Sequence, residues 1–185
     1  MTDIQLATQI HERANIGKNI AVAIYPNHQG AEAAIRELQR AGFDMKCLSI
    51  VGKDYHTQEY VTGYYTTGDR MWSWGKLGAF WGGLWGILFG SAFFLIPGIG
   101  PVLMAGPLVA ALVSCLEDAA VVGGVSALGA ALVSLGAPTN SAIKYETELA
   151  AGKFVLIAHG SAAEIAHAKS LLQSTSHEGL VEHAA

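Results

Sequence analysis

The chain has 185 residues, enough for one domain with an insertion or for two small ones, and its core needs no disulfide support. Hydrophobic residues make up 51% and charged residues 14%, well below the usual quarter or so, and a net charge of −4 leaves no basic field to recruit nucleic acid. The apolar excess is local, because Glu117 and Asp118 carry the only formal charges between Lys76 and Lys144.

Residues 1–18 read as an amino-terminal extension that mixes charges with single apolar residues and lacks a signal-peptide pattern, so the flanking domain is expected to face the cytoplasm. Asn19 to Tyr25 form a β-rich run that ends at Pro26. Asn27 can cap a helix whose apolar face is Ala31, Ala34, Ile35, Leu38 and Ala41, closed by Gly42. Met45 to Val51 alternate apolar and polar positions, which predicts a second, half-buried strand. After the apolar stretch, Ser141 to Ala151 read as a helix ended by Gly152. Lys153 to His159 then read as a strand, Ala162 to Leu172 as a helix, and the tail at Leu180 and Val181 as a weak edge strand.

This order gives an α+β fold class, a ferredoxin-like split βαβ domain interrupted by an apolar, glycine-zippered helical insertion. Its first half spans 19–70, the insertion 71–137, and the second half with the tail 138–185. Leu77 to Leu116 contain no charged residue and exceed the length of one membrane-spanning helix. The IPGIGP segment divides them, which predicts one helix from about Trp72 to Ile96 and others from about Val102 to Leu116 and Ala119 to Leu135.

Gly78, Gly82, Gly86 and Gly90 recur every four residues and form one stripe along the first of these helices, where a partner backbone could approach closely. Gly123 and Ala127 repeat the device. Ahead of the run, Tyr64, Tyr65, Arg70, Trp72, Trp74 and Lys76 have the composition of a membrane-interface belt, although aromatics packed on a sheet or a subunit contact would look the same. Glu117 and Asp118 are costly in a bilayer and read as a polar junction between short helices, or as part of a polar path between subunits.

The segments EAAIRELQRAGF, GAFWGGLWG, IPGIGPVLMAGPLVAAL and LGAPTNSAIKYETELAAGKFVLIAHG resemble a bacterial family of general stress or low-temperature-induced proteins with a glycine-zipper label and a domain of unknown function. The resemblance spans about residues 19 to 175. It implies a stress-associated membrane protein and brings no catalytic residues.

Chemistry is sparse. His159 at a strand end is expected to be structural, Ser161 to cap the following helix, and Asp69 with Arg70 to form an ion pair or anchor. Cys47 and Cys115 are too separated in sequence for a disulfide framework, and no metal-ligand spacing or phosphate loop occurs. No catalytic residue, cofactor or metal is expected. The leading expectation is a non-enzymatic homo-oligomer in the cytoplasmic membrane, in contact with the lipid bilayer and itself. The alternatives are a soluble stress-induced ring or shell with the apolar helices buried between subunits, and a small-ligand sensor.

Overall fold

A computed structural model describes residues 19–53, 91–117 and 126–184. The described chain is a mixed α+β structure with a six-stranded antiparallel sheet and five α-helices. Its elements are β1 (Asn19–Tyr25), α1 (His28–Arg40), a 3-10 turn (Met45–Cys47), β2 (Leu48–Lys53), β3 (Ser91–Ile96) and β4 (Gly100–Ala105). These are followed by α2 (Pro107–Glu117), α3 (Ala127–Ser134), α4 (Thr139–Ala150), β5 (Phe154–Gly160), α5 (Ala162–Leu172) and β6 (Gly179–His183). The strand order is β3-β4-β2-β5-β1-β6.

Helices cover both faces. On one face α1 and α5 pack Ala34, Ile35, Leu38, Ile165, Ala168 and Leu172 against Ala21, Ala23, Ile50, Leu156 and Ala158. On the other, α2, α3 and α4 bring Leu108, Leu112, Leu128, Leu132, Tyr145 and Leu149 onto Val22, Val51, Met104, Val155 and Ile157. Strands buried on both sides need apolar side chains at successive positions. That is the reason NIAVAIY and FVLIA read as continuous runs.

The expected β1, α1 and α5 form with their caps: the Asn27 side chain accepts from Gly30 N at 2.9 Å, and Gly42 takes φ 79°. The second strand differs from expectation. Residues 45–47 form the 3-10 turn, and Ser49, read as a solvent-facing polar position, is fully buried. Its hydroxyl accepts from Leu108 N at 3.1 Å, so the polar residue satisfies an otherwise orphaned amide in the first turn of α2.

The helix expected through Ile96 and the one expected from Val102 also need correction. Residues 91–96 are β3 and residues 100–105 are β4, a hairpin with Phe94 opposite Val102 and Ile96 opposite Gly100. Pro97 and Gly98, with φ 84° at the glycine and Ile99 N donating to Ile96 O at 3.1 Å, have the pattern of a type II turn. The aromatic and β-branched residues of SAFFLI therefore extend the sheet, and the next helix starts only at Pro107. The helix expected over Ala119 to Leu135 also needs correction, since Ser126 is extended and caps α3, which starts only at Ala127; residues 119–125 lie outside the described residues. The tail supplies a true edge strand, with Val181 opposite Val22. The glycines Gly78, Gly82, Gly86, Gly90 and Gly123, the belt Tyr64, Tyr65, Arg70, Trp72, Trp74 and Lys76, the pair Asp69 and Arg70, and Asp118 lie outside the described residues.

Candidate assembly surface

α2 (PLVAALVSCLE) and α3 (ALGAALVS) carry no charge before Glu117, the last residue of α2. Helices apolar all round belong in a core, because an exposed face ordinarily carries charge. α1 illustrates the ordinary case, with exposed Arg36 paired to Glu32 and exposed Arg40 paired to Glu37.

The inner side of this helical layer is anchored firmly. Gly106, at φ 87°, turns the chain from β4 into α2 so tightly that a Cβ would collide with the Leu48 carbonyl oxygen. The Ser126 hydroxyl accepts from Gly129 N at 3.1 Å to cap α3, and it also donates to the Glu146 carboxylate of α4. Ala127 is half-buried and packs against the core beneath α3, while Ala131 is fully buried. The outer side is uncharged and open: Val113 is 39% exposed, Leu116 53% and Val133 38%, with Ser114 and Ser134 exposed beside them. α3 lies between α2 and α4, so these side chains sit on adjacent helices of one layer.

A second group of polar residues gathers where β5 ends. The Tyr145 hydroxyl and His183 Nε2 are 2.7 Å apart, and His159 and His183 flank Ile20 on the same face of the sheet. Burial pushes the pKa of both histidines down and that of Tyr145 up to about 12. His159 Nδ1 has no partner among the described residues. Across the strand end, Ser161 and Glu164 form a capping box, the serine amide and hydroxyl both donating to the carboxylate at 2.8 and 2.7 Å. Ser161 is thus committed to the start of α5. The half-buried Cys47 has its pKa raised by burial, then by Asp44 and Glu164, which is the wrong direction for a nucleophilic thiolate. Both cysteines are free, and no group of three potential ligands that could hold a metal occurs among the described residues.

The open side of α2 and α3 was not legible in advance. In the sequence it merges with the charge-free run, and only the placement of Leu108 and Leu112 inward separates Val113 and Leu116 as the outer set. No helix among the described residues is long and apolar enough to cross a membrane.

A family model for the heat induced stress protein YflT domain matches residues 20–93. No curated protein and no solved structure matches the chain. The family match supports a relation to bacterial stress-induced proteins.

Proposed function

We propose that this is a non-enzymatic, stress-associated protein that assembles with copies of itself in the cytoplasm and buries its apolar helical layer between subunits. The observation that carries the reading is the uncharged outer side of α2 and α3 with Val113, Leu116 and Val133 exposed. Patches of this kind mark sites where another surface docks. The stress association rests on the family match.

Assembly in water is favoured over a bilayer because half of the charge-free run is used otherwise. Its later part forms a sheet hairpin and an 11-residue helix, and such a helix extends roughly 16 Å against a hydrocarbon core of about 30 Å. In this reading Glu117 closes α2 at a subunit junction with Asp118, and the glycine stripe Gly78, Gly82, Gly86 and Gly90 provides close helix packing. A ligand on the open face of a ferredoxin-like sheet is disfavoured, since α2, α3 and α4 occupy that face.

The ferredoxin-like assignment itself is supported by the order β2-β5-β1-β6, all antiparallel, with α1 joining β1 to β2 and α5 joining β5 to β6 on one face. Relative to that pattern, residues 54–153 stand in place of the hairpin between the second and third strands.

Sedimentation of the native protein prepared without detergent tests the proposal. A discrete particle of several subunits is expected. A monomer at all concentrations sinks the assembly, and recovery only in the membrane pellet with release by detergent restores the bilayer.

A further inference from the structure

β6 is an edge strand with little packing to hold it. Among the described residues it pairs with β1 alone, and none of its 5 side chains is fully buried, whereas Ile20 to Tyr25 of β1 all are. A strand with so little buried apolar contact opens at a lower free energy than the core beneath it. Polar contacts hold it instead. Lys169 of α5 pairs with Glu182 at 3.0 Å, Lys153 with Glu178 at 2.6 Å, and the Tyr145 hydroxyl of α4 lies 2.7 Å from His183 Nε2. The third of these involves an imidazole, the side chain that gains charge between neutral and mildly acid solution.

His183 belongs to a row. His159 of β5, Ile20 of β1 and His183 of β6 stand in register across three strands, on the face that α4 covers. The Nδ1 atom of His159 is buried and has no partner among the described residues. A protonated imidazole is a donor at both nitrogens, so charging His159 in the closed row buries an N–H with no acceptor. The partner of His183 is a phenol whose pKa burial pushes up to about 12, so it stays neutral and brings no charge to offset an imidazolium.

The charges nearby give the row little relief. Asp44, ahead of β2, favours the charged form of His159, but burial outweighs it, and burial alone acts on His183. Beside Tyr145 on α4, Lys144 is exposed and Glu146 accepts from Ser126. Glu182 and Lys169 pair on the opposite, α5 side of the sheet.

We propose that β6 is an acid-released latch: protonation at the His159–Ile20–His183 row frees this strand from β1 while the rest of the sheet stays folded. Release returns His183 to water and opens the outer end of the row. It also bares the edge of β1, a strand without a charged residue, which is the kind of edge that another chain can pair with.

Hydrogen exchange of the full chain, followed by mass spectrometry from about pH 7 to about pH 5 and corrected for the intrinsic rate of the amides, tests the latch. Expected is a loss of protection of roughly threefold or more in peptides covering Gly179–His183, with peptides covering β5 nearly unchanged. Proton NMR of the histidine rings in the same unaltered chain should place the midpoint of this loss on the titration of His183 or His159. The double variant His159→Gln and His183→Gln keeps an acceptor for Tyr145 and takes up no proton, so its β6 should lose the acid response. Unchanged protection in β6 overturns the proposal, as does equal loss in β5, which would mean that acid loosens the whole fold. A midpoint in the carboxylate range, or an acid response that survives in the double variant, assigns the release to Glu178 and Glu182 and overturns it too.

Discussion

Gly106 stands at a junction where the β4 to α2 turn leaves no room for a side chain. Its φ of 87° is strained for any L-residue, and an added methyl would meet the Leu48 carbonyl, a backbone group that cannot swing away. The same loop holds the Ser49 to Leu108 hydrogen bond. Gly106→Ala is expected to cost about 3 kcal/mol or more, read as a lowered urea midpoint with unchanged slope. Gly98, where nothing lies near a Cβ, should pay for its own positive φ alone and lose clearly less on the same substitution.

His159 sets a pH dependence of definite sign. Burial holds its pKa below the ordinary 6.5, and the Asp44 carboxylate offsets only part of this. The unfolded chain therefore takes up the proton first. Stability is full above the ordinary value and is lost as pH falls from there toward the depressed folded value. His183 adds a loss of the same sign. Glu164, whose pKa is lowered by its hydrogen bonds from Ser161, loses its contribution in a separate window below its ordinary 4.5. Unfolding measured from about pH 7 to pH 5 should show falling stability in the parent and a shallower fall in His159→Gln. A parent profile that is flat or rises toward acid contradicts the assignment.

At the scale of elements, β6 is an edge strand clamped from both faces. Lys169 of α5 pairs with Glu182 at 3.0 Å on one side, and Tyr145 of α4 meets His183 on the other. Lys153 adds a bridge to Glu178 ahead of the strand and to Glu148 of α4. Removing the Tyr145 hydroxyl leaves the core ring in place and breaks one clamp. Tyr145→Phe should cost about 1 kcal/mol and speed amide exchange in β6 more than in β5. Uniform acceleration through the sheet would instead mean that Tyr145 supports the whole core.

Elements written by local rules were legible: Asn27 before α1, Ser161 and Glu164 before α5, and Pro26 after β1 announce their ends in the sequence. The apolar run obeyed a rule that sequence pattern alone could not separate. Continuous hydrophobicity suits a strand as well as a buried helix, and Phe93 to Ile96 form a strand because the Pro97-Gly98 turn returns the chain for Val102 to Met104 to pair with. Ser49 misled for a related reason, since polarity marks exposure only where no buried backbone amide needs a partner. The Val113 and Leu116 surface depended on tertiary contacts that local spacing does not encode.

For the whole molecule, the outer side of α2 and α3 stands on a filled layer and faces away from the sheet, so covering it belongs to association and not to folding. Substitutions there should separate the two. Val113→Glu and Val133→Glu place charge on positions that are 39% and 38% exposed, where the added carboxylate can reach water in the single subunit, so each should shift the native particle toward monomer while leaving the circular dichroism unchanged. Gln29→Glu, on the exposed side of α1, adds the same charge elsewhere and should leave the particle intact. Sedimentation velocity distinguishes the outcomes. If both valine variants assemble like the parent, the helical layer is not the subunit contact, and its uncharged outer side requires another explanation.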